Sequence, residues 1–373
     1  MNKKKVHEPL FRMAKRAEVL PPWKAWGIRI IALFISLVVS GLLIMSVSGL
    51  NPVQVYITMA EGAFGTVKKS WVTVRDAMTM LCIAVGLAPA FKMRFWNIGA
   101  EGQILVGGIA SAACMIYIGS KVPNAILLII MVICSLLAGA VWGFFPGIFK
   151  AKWNTNETLF TLMMNYIAIQ LTSFFVALWE NPYGSNSVGV INSTTHAGWL
   201  PNLFSKGFNK DFGVNVIIVL IITAIMYVYM SRSKHGYEIA VIGDSENTAR
   251  YAGIRVNKAY VRTIALSGAI CGLAGFVAVS GASHTISTNT AGGRGFTAII
   301  VAWLAQFNSI IMLIFSFLIV FLEKGAQSIA SVYNLSKEVS EMITGIILFF
   351  ILGSEFFVNY ELHFVKGKKE VKE

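Results

Sequence analysis

Long runs of apolar residues recur along almost the whole chain and are separated by short polar intervals. A helix of about 20 apolar residues is long enough to cross the hydrocarbon core of a bilayer. The pattern therefore predicts an all-α polytopic membrane protein with about ten transmembrane helices. We expect spans at 26–50, 71–91, 104–118, 123–149, 154–179, 213–230, 261–280 and 342–358, and a divided run at 296–323 that forms a short helix, a turn and a further span.

Basic residues at the ends of these runs predict the orientation, because short loops rich in lysine and arginine stay in the cytoplasm. The lysines at 150 and 152, the basic residues at 232 and 234 and the C-terminal lysines fit one arrangement, in which both termini are cytoplasmic. No small-residue cleavage site follows the N-terminal tail, so the first run is interpreted as an anchor. The predicted regions are an N-terminal tail at 1–25, a transmembrane domain at 26–358, outer loops at 51–70 and 180–212, and a C-terminal tail at 359–373.

Composition and motifs exclude several classes of function. The formal net charge is +13, but the basic residues lie at the ends of apolar runs, where they contact membrane lipid rather than nucleic acid. The four cysteines lie inside apolar runs, without metal-ligand spacing. The chain has no phosphate-binding GxxxxGK(S/T) loop, no HExxH motif and no serine-nucleophile elbow. We therefore expect no catalytic residues, no metal and no cofactor in this chain.

The polar interval 231–262 is predicted to be a cytoplasmic loop that contains a helix of its own. Asp244 or Ser245 can cap a helix N-terminus, Arg250 suits the last turn, and Gly253 supplies a stop. A helix of about two turns is too short to be stable alone in water. We therefore expect this helix to dock on a partner protein.

Two glycine-rich polar stretches, 95–103 and 291–297, each open an apolar run. The predicted orientation places the first on the inner side and the second on the outer side, as an inverted repeat would; coincidence is the alternative. Gly268 and Gly272 form a GxxxG motif, which predicts a face for close helix packing.

Two groups of polar residues lie within or beside predicted spans. Glu157, Thr161 and Asn165 are spaced i, i+4 and i+8, so they form one stripe on a helix. The stripe either makes hydrogen bonds between helices or faces the substrate. The adjacent Arg75 and Asp76 are interpreted as solvated or paired with each other, and a role in gating is the alternative.

Three stretches carry a family resemblance. Residues 95–103, FWNIGAEGQ, resemble the NIG-x-EGQ signature of nucleoside and simple-sugar permeases. Residues 236–254 resemble the cytoplasmic loop of the same branch, and residues 295–302, GFTAIIVA, resemble its late Gly-Phe-Thr-Ala helix. The chain is thus similar to permease subunits of bacterial ABC importers, in the superfamily of branched-chain amino acid, ribose and nucleoside permeases.

The resemblance implies a multi-pass transport subunit of the bacterial plasma membrane that is not an enzyme. The implied partners are a cytoplasmic ATP-binding subunit, which binds the ATP, a second homologous permease, and an extracytoplasmic substrate-binding lipoprotein. The loop helix would couple the ATPase to the membrane helices, with Arg250 as the ionic contact and Tyr251 as the packing anchor. The implied coupling residues are Glu246, Ala249, Arg250, Tyr251, Ala252 and Gly253.

A nucleoside is the substrate that the resemblance favours. Aromatic faces suit its base, while amides and hydroxyls suit its ribose. The candidate substrate-path residues are Trp96, Asn97, Glu101, Gln103, Asn165, Phe296, Thr297 and Trp303. For Asn97, Glu101 and Gln103, the alternative is that they brace a helix break.

Other classes of function remain open from the residues alone. One is an ABC permease for simple sugars or branched-chain amino acids. Another is a secondary transporter driven by an ion gradient, which would also have about ten spans and broken helices. The third is a membrane-embedded enzyme acting on a lipid-linked substrate, for which the chain supplies no catalytic constellation.

Overall fold

The computed structural model describes residues 11–16, 20–201 and 213–364. The remaining parts of both predicted tails, including the C-terminal lysines, and residues 202–212 of the predicted outer loop lie outside the described residues. The first helices are α1 (Pro22–Ser48), α2 (Pro52–Phe64), α3 (Val67–Lys92), α4 (Ala100–Ile118), α5 (Asn124–Trp153), α6 (Glu157–Leu178) and α7 (Gly213–Arg232). They are followed by α8 (Lys234–Asp244), α9 (Glu246–Tyr251), α10 (Val256–Ala278), a π-helical turn (Val279–Ser283), α11 (Arg294–Leu304), α12 (Ser309–Val332) and α13 (Lys337–Asn359).

The prediction of a polytopic helical protein is confirmed. Among the described residues, nine helices are long and apolar enough to cross a membrane. The run at 296–323 is divided as expected, because α11 has only 11 residues and a turn separates it from α12. Counting α11 as the short member gives the ten predicted segments.

Two loop predictions are wrong in their boundaries. The stretch 51–70 is not an irregular outer loop, since it contains α2 and the first turn of α3. The interval 231–262 contains α8 as well as the predicted short helix, and α10 begins at Val256 rather than at 261. In both places polar residues interrupt or shorten the apolar run. The length of the run alone therefore underestimates how much of the chain is helical.

The chain divides into two compact units, Met1–Gly62 with Leu322–Glu373, and Ala63–Phe321. In the first unit, the strands β1 (Phe11–Lys15) and β2 (Tyr360–Phe364) pair antiparallel, which is an exception to the all-α prediction. Arg29 of α1 and Glu355 of α13 form an ion pair at 2.7 Å. Because β1 precedes α1 and β2 follows α13, this pairing brings the start of α1 and the end of α13 to the same side of the first unit. Which side of a membrane they occupy stays a prediction.

Helix α10 lies at the centre of the second unit, against α3, α4 and α5. The predicted GxxxG face is used, because Gly268 and Gly272 lie directly against the backbone of Gly139 on α5. On α4, Gly107 lies against Gly272 in the same way. Contacts this close between helix backbones leave no room for a Cβ atom, and they are typical of small-residue packing in membrane proteins.

Candidate functional site

The chain between α3 and α4 forms a helix break that buried amides hold in place. Asn97 is fully buried, and its Nδ2 donates to Ser267 Oγ at 3.1 Å and to Gln103 Oε1 at 3.3 Å. The N–H of Gly99 donates to Asn97 Oδ1 at 3.1 Å. A buried amide needs such partners, since an unpaired one costs about 1–3 kcal/mol. The amides of Asn97 and Gln103 therefore bond to each other and to their surroundings.

The polar stripe on α6 supports the same break from the other side. Asn165 Nδ2 donates to the carbonyl of Ile98 at 2.9 Å, and the N–H of Gly102 donates to Asn165 Oδ1 at 2.8 Å. Thr161 Oγ1 accepts from the N–H of Ile98 at 3.2 Å. The stripe thus makes hydrogen bonds between segments, which was the first of its two interpretations. Glu157 pairs with Lys150 at 2.9 Å.

The second glycine-rich stretch meets the first one at Glu101. The carboxylate of Glu101 accepts from the N–H of Gly293 at 2.7 Å and from the N–H of Gly295 at 2.9 Å. The N-termini of α4 and α11 therefore lie together, and the prediction that the two stretches lie on opposite sides is wrong. Glu101 stabilises both helix starts, because a carboxylate is favourable at the positive end of a helix dipole.

The two helices leave this meeting point in opposite directions. The start of α11 lies beside Glu101, while its last turn lies beside Trp96, whose ring stacks on Trp303. Helix α11 thus runs antiparallel to the segment 96–101, whereas α4 continues the chain away from that segment. Two helix N-termini that meet at a break are also what an inverted repeat produces when both of its breaks reach the same depth.

A buried ion-pair cluster lies beside the same helix start. Asp76 on α3 is almost fully buried and pairs with Arg75 at 2.8 Å and with Arg294 at 3.1 Å. The sequence left open whether Arg75 and Asp76 would be solvated or paired, and the structure shows them paired; the pairing of Arg294 was not predicted. Arg294 is the first residue of α11, where a positive charge is unfavourable for the helix dipole. Asp76 offsets that charge.

Aromatic side chains form the accessible surface next to the break. Trp96 and Trp303 stack with their ring centroids 5.5 Å apart and an interplanar angle of 23°. Phe91 packs edge-on against Trp96, with the ring centroids 5.8 Å apart. Phe296 lies seven residues before Trp303, hence on the same face of α11. The exposed fractions of Trp96, Phe296 and Trp303 are 45%, 43% and 44%.

The loop helix α9 has the geometry that its sequence predicts. Ser245 is its N-cap and accepts from the N–H of Thr248 at 3.3 Å, and Gly253 has a left-handed backbone with φ of +78°. Ala249 is fully buried in a cluster with Ile242 and Tyr260, among others. The helix therefore docks on the ends of the membrane helices of its own chain through Ala249.

The opposite face of α9 is accessible. Tyr251 is 93% exposed. Arg250 pairs with Glu246 one turn earlier at 2.6 Å, and both side chains are about half exposed. Ala252 and Gly253 are also exposed. An exposed pair of this kind contributes little to stability, so Arg250 stays accessible to a partner.

The predicted substrate-path residues thus fall into two groups. Glu101, Asn97, Gln103 and Asn165 are buried and bonded to the helix break. Trp96, Phe296 and Trp303 are exposed, and Thr297 is half-buried, with its Oγ1 donating to the carbonyl of Gly293 at 3.3 Å. Sequence reasoning missed Ser267, whose only signal was a polar residue beside the GxxxG motif.

Nine described helices of spanning length and a broken-helix centre indicate a multi-pass integral membrane protein. The chain belongs to the family described as "Branched-chain amino acid transport system / permease component", whose match covers residues 72–352. The resemblance inferred from the three motifs is thereby confirmed. Membership implies a transport component rather than an enzyme, which works with an ATP-binding subunit and a substrate-binding protein.

Curated relatives match most of the chain. The guanosine ABC transporter permease protein NupP of Bacillus subtilis is 29% identical over 89% of this chain and 93% of its own length. The nucleoside ABC transporter permease protein NupB of Lactococcus lactis is 27% identical over 83% of this chain and 86% of its own. The glucose ABC transporter permease protein TsgB13 of Haloferax volcanii is 25% identical over 92% of this chain and 91% of its own.

Proposed function

We propose that this chain is the permease subunit of an ATP-driven ABC importer that takes up nucleosides. The choice of a nucleoside as substrate rests on the accessible aromatic face of Trp96, Trp303 and Phe296, in a chain similar to permeases named for guanosine and nucleosides. A purine or pyrimidine base is flat, and aromatic rings bind flat rings through their faces.

The two groups of site residues then have different roles. Trp96, Phe296 and Trp303 contact the base during passage, because their faces are accessible. Asn97, Gln103 and Asn165 hold the helix break at the correct depth, and Glu101 fixes the start of α11 against it. The half-buried hydroxyl of Thr297 is the group on α11 that can reach a ribose hydroxyl.

Energy enters through α9 in this proposal. The chain has no phosphate-binding loop of its own, so ATP is bound by a cytoplasmic partner and this chain holds no cofactor. The partner contacts Tyr251, Arg250 and the neighbouring exposed residues of α9. Because Ala249 packs into the ends of α8 and α10, a push on α9 moves those helices with it.

The remaining partners complete the importer. A second permease subunit, homologous to this one, forms the path together with this chain. An extracytoplasmic lipoprotein binds the nucleoside and delivers it, so the path itself needs only weak affinity.

Sugar uptake is the second candidate, since TsgB13 is named for glucose and matches a similar share of the chain. Aromatic rings also stack on sugar rings, so the aromatic face alone does not separate the two. A competition experiment separates the two candidates. If the chain takes up nucleosides, excess guanosine blocks uptake of a labelled nucleoside, and glucose or ribose does not.

The aromatic face is tested by comparing Trp96→Ala and Trp303→Ala with Trp23→Ala, a tryptophan that is 72% exposed on α1. Loss of one base-stacking ring removes about 1–3 kcal/mol, so we expect nucleoside uptake to fall by about tenfold or more. Trp23→Ala keeps normal uptake, and all three variants keep normal amounts of assembled complex. Unchanged uptake in both path variants would assign Trp96 and Trp303 to packing alone.

A further inference from the structure

A groove with a basic rim lies where the end of α5 meets the start of α10, away from the aromatic face. Its volume is about 560 Å³. The polar rim consists of Lys152, Lys258, Arg262 and Asn257, and the floor is formed by Phe144, Ile148, Ala151, Val261 and Ala265. We propose that this groove binds an anionic phospholipid, with the phosphate on the rim and one acyl chain along the floor.

The charges of the rim favour an anion. Lys152 and Lys258 are both exposed, and among the described residues no carboxylate forms an ion pair with either. Arg262 pairs with Glu238 at 2.8 Å, so its charge is compensated within the chain. The rim therefore carries two uncompensated positive charges, those of Lys152 and Lys258. A phosphodiester supplies the opposite charge.

The apolar floor favours a lipid over a free phosphate. Phe144 is 42% exposed, and Ile148, Ala151, Val261 and Ala265 are partly exposed along the same groove. An exposed apolar floor in a membrane protein is covered by an acyl chain, whereas a free phosphate leaves it uncovered. The basic rim and the apolar floor of the groove therefore match the two parts of one amphipathic molecule.

The position of the groove along the helices fits the interface of a bilayer. Lys152 and Trp153 form the last turn of α5, and Lys258 lies in the first turn of α10. Trp153 is 62% exposed, with Lys152 Nζ 5.8 Å from the centroid of its ring. Tryptophan and lysine at a helix end are typical of the headgroup level. Basic pockets between transmembrane helices on the cytoplasmic side bind anionic headgroups.

Native mass spectrometry of the purified full-length protein tests the proposal. The protein is titrated with phosphatidylglycerol, with phosphatidylcholine and with glycerol phosphate, which has the headgroup chemistry but no acyl chain. We expect phosphatidylglycerol to be retained at least tenfold more tightly than phosphatidylcholine. Equal retention of the two lipids, or equal binding of glycerol phosphate, would overturn the proposal.

Matched variants locate the site. Lys152→Gln with Lys258→Gln should weaken retention of phosphatidylglycerol by about 30-fold, since each interfacial lysine contributes about a factor of five. Lys68→Gln with Lys121→Gln makes the same change in net charge at exposed lysines elsewhere and should leave retention unchanged. A loss of the same size in both pairs would indicate only a net-charge effect and would reject the site.

The floor is tested without a change in charge. Ala151→Phe fills the groove where the acyl chain would lie, so retention of phosphatidylglycerol should fall by about tenfold. Normal retention in this variant would show that no acyl chain occupies the groove.

Discussion

At the scale of single residues, Glu101 connects two helix starts that are far apart in the sequence. One carboxylate bonds to two backbone N–H groups at the start of α11, 192 and 194 positions away in the sequence. The position also lies in the first turn of α4. The side chain therefore fixes the distance between the two helix starts that flank the aromatic face. A change here should affect both stability and transport.

Glu101→Gln tests this role. The amide keeps the shape but has one acceptor oxygen, so one buried N–H loses its partner. We expect the unfolding free energy in detergent to fall by about 2–4 kcal/mol and uptake to fall with it. The matched control is Glu180→Gln, because Glu180 also accepts from two N–H groups, those of Gly184 and Asn186, but in contact with solvent. The control should lose less than about 1 kcal/mol; equal losses would contradict the buried role.

Asn97 is a second residue whose role depends on where the fold places it. Its residue type suggested either a substrate contact or a brace. The structure surrounds it completely and satisfies its amide with Ser267, Gln103 and the N–H of Gly99. Its burial was not visible in the sequence, because an amide in a glycine-rich stretch has no periodic pattern that indicates a face.

At the scale of elements, α9 combines a buried anchor with an accessible face. Ala249 fixes it to the chain, while Tyr251 extends into solvent. A helix of six residues keeps its shape here because Ser245 caps it and its neighbours hold it. The partner contact can therefore be removed without unfolding the element.

Tyr251→Ala tests the contact with the ATP-binding subunit. Removing an aromatic anchor at the centre of an interface costs about 2 kcal/mol or more, so copurification of the ATPase should fall by about 30-fold. Tyr183→Ala is the control, since Tyr183 is 96% exposed in the loop after α6. Stability should be unchanged in both variants. Normal ATPase copurification with Tyr251→Ala would exclude α9 as the docking element.

The glycine face of α10 tests the packing of elements. A Cβ atom at Gly268 would overlap the carbonyl oxygen of Gly139, which is backbone and cannot turn aside. Gly268→Ala should therefore cost about 1–3 kcal/mol of unfolding free energy. Gly345→Ala on α13 is the control, because no atom lies within 4 Å of the added Cβ. If both variants are equally stable, the close contact between α5 and α10 is not as described.

At the scale of the whole molecule, the sequence predicts about ten membrane crossings. Among the described residues, nine helices are long enough to cross a membrane, and α11 is the shorter apolar helix that the tenth predicted crossing depends on. The apolar runs thus predicted the nine long helices, whereas the tenth segment is α11, which is too short to be recognised as a span by length.

The orientation is tested with single cysteines introduced into a cysteine-free background. A membrane-impermeant maleimide should label Tyr183→Cys in intact cells, because the loop after α6 is predicted to be extracytoplasmic. Tyr251→Cys should be labelled only after permeabilisation. The two side chains are similarly exposed, at 96% and 93%, so a difference reports the side of the membrane and not burial. Labelling of Tyr251→Cys in intact cells would reverse the orientation.

The sequence by itself determined the helical spans, the capped α9 and the GxxxG face, because each depends on residues close together in the chain. Apolar runs report helix length, and capping residues report helix ends. The pairing of Arg75 with Asp76 is also local, although the sequence left open whether the two would be solvated or paired.

Only the tertiary structure decided that the two glycine-rich stretches meet, that Arg294 pairs with Asp76, and that Asn97 is buried while Trp96 is exposed. These contacts join segments about 200 residues apart. Hydropathy gives the length of a run but not the depth at which a broken helix begins, so the partners across a break follow from packing alone.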